Sequence, residues 1–227
     1  MIKDYLLSIN QISDRRIWKP VLWSTLLTSL ILLLFIFIGF STGGWIFEYL
    51  ISYFDFLEED SWFKILIRII ISVFLLVLGF FFFGSIQAGF LGLFIDDVID
   101  AIKERHYPNL VLKSAPPLIT SVIISTRLIF LSLAVNLIAA PLFIIGWFFP
   151  PIGFGLQIFI NGYLLGKEYK TIVDCRLPNE FTQHKQSFTF YGSLGSAIWI
   201  VPILNLFAPV LICASVFHAR VRHQNLD

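Results

Sequence analysis

From Val21 to Phe40 the chain carries no charge, and those 20 residues, as a helix rising 1.5 Å per residue, match the roughly 30 Å hydrocarbon core of a bilayer. Ile65 to Leu93 is longer still, interrupted only by Arg68 and Gln87. Two such runs must be judged against lipid rather than water. The whole chain agrees: 57% of its 227 residues are apolar and 14% charged, more apolar surface than a soluble domain of this size can hide. The net charge of +1 supplies no surplus to neutralise a polyanion, so nucleic acid is excluded as a partner. Cys175 and Cys213 fit neither a disulfide framework nor a metal-ligand spacing.

A second pattern begins after Lys113. Leu118 to Leu165 is long enough for two helices but is interrupted by Pro141 and by Pro150-Pro151. Phe188 to Phe217 holds only about 30 residues between charged flanks, with Pro202 and Pro209 near its middle. Two helices of about 13 residues would each rise roughly 20 Å, enough to enter the membrane and turn, not to cross and return. The turn 202-PILNLFAP then exposes backbone groups at membrane depth, which is tolerated where protein or a wet cavity surrounds them. The competing reading is an ordinary kinked helix with a short last span.

The fold expected is therefore an all-α integral membrane protein, with two long transmembrane helices and two Pro-broken, partly re-entrant helical hairpins. It forms one membrane domain, 1–227: an interfacial amphipathic helix at 1–15, spanning helices at 17–40 and 62–105, a first hairpin at 116–166 and a second at 188–219. In the helix at 1–15, Ile2, Tyr5, Leu6, Ile9 and Ile12 recur at helical spacing opposite Lys3, Asp4, Ser8 and Gln11. The second spanning helix continues without a break through 96-DDVIDAIKERHYP, where Asp96 and Asp97 read as a solvated face.

Lys and Arg set the orientation. They flank the first span (Lys3, Arg15, Arg16, Lys19), follow the second (Lys103, Arg105, Lys113), separate the hairpins and close the chain (Arg220, Arg222). The connection Ser41–Trp62 carries Glu48, Asp55, Glu58, Glu59 and Asp60 instead. Both termini are expected in the cytoplasm.

Four stretches resemble the CysZ-type sulfate permeases, members of a superfamily with the etoposide-induced membrane protein. These are the paired arginines in 14-DRRIWKPVLW, the break 150-PPIG, the aromatic, Gly and Ser stretch 191-YGSLGSAIW, and the turn 201-VPILNLFAPVLICAS. The loop 166-GKEYKTIVDCRLPNEFTQHKQSF lacks the Tyr-Pro-rich character that those permeases tend to carry, as in a divergent branch. The resemblance implies a homo-oligomer in a bacterial inner membrane, multi-pass, contacting lipid and passing sulfate or a similar oxyanion inward for cysteine synthesis. No cofactor is expected, and no phosphate-binding G-x-x-x-x-G-K-[ST] motif occurs, so passage would be passive or ion-coupled.

By that analogy Arg15 and Arg16 are the anion-binding pair. Guanidinium forks and free N–H groups at a helix N-terminus present fixed donors to a dianion, and Asp14 stands where an N-cap belongs. The same pair can equally anchor the chain to lipid phosphates. Arg127 lies roughly ten residues into its helix, about 15 Å deep, where a cation has to be paired, hydrated or functional; Glu168 is a partner to consider. Pro202, Asn205 and Pro209 mark the second hairpin's turn, with Asn205 capping freed backbone or lining a path. Asn136, Gln157 and Asn161 are expected to face other helices for hydrogen bonds. Gly84, Gly89 and Gly92 do not match the four-residue small-residue spacing. Nothing places a nucleophile against a base or gathers metal ligands, so no catalytic residue and no metal site is assigned. A non-transporting scaffold or lipid-interacting protein is the alternative to a permease.

Overall fold

The computed structural model describes residues 2–51, 61–183, 187–198 and 201–224, and all the regular structure in them is helical. Asp55, Glu58, Glu59 and Asp60 of the acidic connection, together with His184 and Lys185, lie outside the described residues. One helix among the described residues, Arg15–Thr42, is long and apolar enough to cross a membrane, with a mean hydropathy of 2.6.

α1 (Ile2–Gln11) is amphipathic, but its polar stripe faces the protein. Asp4, Ser8 and Gln11 are buried, while Ile2, Leu6 and Ile9 are 78, 61 and 53% exposed. Tyr5 is the aromatic exception: it turns inward and stacks on Tyr191. Asp14 then starts α2 (Arg15–Ile51), its Oδ1 accepting the Arg16 N–H at 3.1 Å and its carbonyl the Ile17 N–H at 3.1 Å, the arrangement expected of an N-cap.

The chain divides into two compact units, one of residues 22–92 and one of 1–21 with 93–227. In the first, α2 lies along α3 (Ser61–Gly92). Gln87 Nε2 donates to Ser24 Oγ at 3.1 Å, and Gly39 meets Leu75 so closely that a Cβ would sit 1.8 Å from its Cδ1.

α3 does not continue into the next helix. Leu93 and Phe94 form a turn, and α4 (Ile95–His106) begins after it. The expected unbroken rod over 62–105 is thus two helices. Gly92 is a poor interior residue for a helix, and Asp96 and Asp97 in the first turn of α4 favour a new positive helix end there.

In the second unit, α5 (Leu118–Phe148) runs through Pro141 without ending, since a helix in a packed hairpin tolerates one lost backbone bond. The break falls at Phe149, and α6 (Pro150–Arg176) starts with two prolines where a missing donor costs nothing. α6 extends ten residues past Gly166, because Val173 and Arg176 are buried beyond it. A short 3-10 turn (Asn179–Thr182) leads to α7 (Thr189–Ile198), α8 (Pro202–Asn205) and α9 (Ala208–Gln224). Residues Phe207 to Val221 are buried throughout, so α9 is the strut on which α1, α4, α6 and α7 pack. Glycines let α6 and α7 touch: a Cβ on Gly192 would lie 2.0 Å from the Gly162 carbonyl oxygen, and one on Gly166 would lie 2.3 Å from that of Phe188.

Candidate anion site and hairpin cavity

The two arginines at the start of α2 have different surroundings. Arg16 is committed to carboxylates: Nη2 reaches Asp14 Oδ2 at 2.9 Å, Nε reaches Asp14 Oδ1 at 3.1 Å, and Nη1 contacts Glu104 of α4. The Arg16 guanidinium holds the Asp14 carboxyl below the usual carboxylate range. Arg15 is exposed and has no ion pair or hydrogen bond among the described residues. It borders an open hollow of about 660 Å³ with Ile9, Ile12, Ser13 and Trp18. Trp18 is fixed there, its indole N–H donating to the Ile12 carbonyl at 2.8 Å and its ring meeting Phe207 edge-on. Arg105 closes the α1–α2 corner by donating to Asn10 Oδ1 and Ser13 Oγ at 3.2 and 3.1 Å. Chemically, Arg15 is an available guanidinium beside an apolar wall.

Arg127 is exposed on α5 and likewise has no polar partner among the described residues. Glu168 is partly buried, makes no ion pair with it, and burial pushes its carboxyl up. In the second hairpin Pro202 opens α8 and Asn205 closes it. The Asn205 N–H donates to the Val201 carbonyl at 2.8 Å, while its Oδ1 is buried without a partner among the described residues. Its side-chain oxygen therefore caps no backbone group among the described residues. Pro209 is buried in the first turn of α9. Arg15 and Arg127 share neither the hollow beside Trp18 nor the cavity of the first hairpin.

That cavity, about 420 Å³, lies between α5 and α6 and is bordered by Asn136, Gln157 and Asn161 together with Phe143, Phe154 and Gly153. Amides were expected to find partners on neighbouring helices; Gln157 and Asn161 instead face open space. Their spacing of four, in an otherwise apolar run, was the signal available in the sequence.

Sequence reasoning missed a part-buried ionic framework in the same unit. Arg176 reaches Asp96 Oδ1 at 2.6 Å and Asp100 Oδ1 at 2.5 Å, binding α6 to α4. Arg220 grips Asp174 with two bonds of 2.8 and 2.7 Å and covers the Phe188 ring. Arg222 pairs with Asp4 at 3.0 Å, and Tyr191 donates to the same carboxylate at 2.7 Å. Beside these, Tyr107 Oη stands 2.8 Å from His218 Nδ1, His106 packs edge-on against His218, and its Nε2 donates to Gln11 Oε1.

The family model described as sulfate transporter CysZ/etoposide-induced protein 2.4 matches residues 5–209. The chain belongs to that family. No curated protein and no solved structure matches it. Membership makes this a membrane protein of a transporter-type family, in keeping with the apolar helix Arg15–Thr42.

Proposed function

We propose that this CysZ-family protein is an inner-membrane permease that passes sulfate, or an oxyanion of like shape, into the cytoplasm for cysteine synthesis. Passage is passive or coupled to an ion, without ATP. Both termini are cytoplasmic, the two hairpins enter from that side, and the protein works as a homo-oligomer in contact with lipid. The observation that carries this reading is the contrast between the paired arginines. Arg16 is neutralised by Asp14 and Glu104, whereas Arg15 keeps its donors at the positive end of a 37-residue helix. An anion arriving there meets a guanidinium that no carboxylate occupies. Arg16 then serves to hold α2 against α4, and Arg127, a lone cation within an apolar helix, adds positive potential along the route.

Uptake of labelled sulfate into proteoliposomes tests this. Arg15→Ala lowers the rate about tenfold or more, from loss of a charge-assisted bond, and Arg15→Lys restores part of it. Uptake equal to that of protein-free vesicles, or indifferent to Arg15→Ala, contradicts the reading. Binding to anionic-lipid vesicles that depends on Arg15 without any sulfate flux would mark the arginine as a lipid anchor instead.

A further inference from the structure

Gln157 and Asn161 stand one helical turn apart on α6 and face the cavity between α5 and α6, and neither has a hydrogen-bond partner among the described residues. Opposite them, Asn136 and Phe143 line the cavity from α5, two turns apart. Asn136 precedes the Phe149 hinge by 13 residues and Asn161 follows it by 12, which places both amides at the same depth, roughly 18–20 Å from the turn. The turn end is shut by backbone contact: a Cβ on Gly146 would lie 2.6 Å from Gly153 Cα. The cavity is therefore an open groove along an apolar hairpin, closed at its tip and polar further along.

Carboxamides left without partners in an apolar setting lose the full value of their bonds to water. Gln157 is exposed and Asn161 half-buried, and α5 and α6 supply neither with a partner among the described residues, so their N–H groups are open to whatever enters the groove. The carboxamides of Gln157 and Asn161 offer four N–H donors, and no Lys, Arg, Asp or Glu borders the space among the described residues. Arg127, nine residues before Asn136, is two and a half turns away and so on the opposite side of α5. A tetrahedral oxyanion, which has only acceptors to offer, is matched by neutral donors that hold it weakly enough to let it go, as a site on a permeation route requires.

We propose that the α5–α6 cavity is a second, deeper oxyanion site, in which the side-chain N–H groups of Gln157 and Asn161, faced by Asn136, bind the permeating anion. This rests on the permease reading, and the test separates the two. The near-isosteric Asn161→Asp replaces a donor with a negative charge and lowers sulfate uptake by the reconstituted full-length protein about tenfold or more, while Asn161→Gln, which keeps the donor, stays near wild type. In a Cys175→Ser/Cys213→Ala background, N161C reacts with a charged methanethiosulfonate reagent, and sulfate slows that reaction whereas chloride at equal ionic strength does not. If Arg15→Ala abolishes uptake but Asn161→Asp leaves it at the wild-type rate, the cavity site is overturned and the permease stands. If the wild type carries no sulfate, the permease falls, and the labelling decides the cavity: protection by sulfate keeps it as an anion site, and no reaction or no protection overturns it.

Discussion

Arg176 and Arg220 belong to the positive flanks by sequence, yet their side chains are only 7% and 1% exposed. A charge so placed depends on its partners. Arg220→Ala strands Asp174 against α9 and lowers stability by about 2–3 kcal/mol, read as a fall in the thermal midpoint in detergent. Adding Asp174→Asn then costs less than its own single effect, since the two groups act as one unit. Such pairs were not legible in the sequence, because Asp96, Asp100 and Asp174 look like any solvated helix face until the buried Arg176 of α6 and Arg220 of α9 reach them. His106, outside the membrane segments, gives a pH dependence. Burial, with Arg105 beside it, holds its imidazole below the ordinary 6.5. As pH falls through that ordinary value the unfolded chain takes up a proton at His106 that the folded chain resists, so stability falls with it. Thermal midpoints measured from pH 7 to pH 5 should therefore drop, and His106→Gln should flatten the slope; a midpoint independent of pH contradicts the assignment.

At the scale of elements, proline announced one break and misled about another. Pro150-Pro151 sits where α6 begins, but Pro141 lies inside α5, since packing decides whether a single missing donor ends a helix. The turn at Leu93–Phe94 was hidden for the opposite reason: apolar residues run on through 91–95, and only Gly92 and the acidic first turn of α4 hint at a stop. Gly162 and Gly166, at a four-residue spacing, were overlooked in favour of Gly84, Gly89 and Gly92, yet they are where α7 meets α6. Gly192→Ala forces a methyl into the Gly162 carbonyl and separates the helices, costing about 1–3 kcal/mol. A cysteine pair bridging α6 and α7 would report it as slower disulfide formation, and an unchanged rate would mean that the contact is looser than described.

At the scale of the molecule, α9 gathers α1, α4, α6 and α7 around one buried axis, and the apolar face of α1 is left outward beside Arg15, the face that the proposed interfacial placement turns to lipid. The all-helical, membrane-borne character was legible because the length of an apolar run can be set against bilayer thickness. The ionic framework and the amide cavity were not, because they depend on which faces meet. The closing segment carries the largest topological claim. α7 has 10 residues and the apolar part of α9, Ala208 to Phe217, another 10, each rising about 15 Å, half of the bilayer core. A chain that dips and returns keeps both ends of this segment on one side. Single cysteines at Ser187 and at Gln224, in a Cys175→Ser/Cys213→Ala background, measure that directly with an impermeant maleimide applied to sealed vesicles of known orientation. Both should label from the cytoplasmic face alone; labelling of the two from opposite faces would mean a complete crossing and would contradict the re-entrant hairpin.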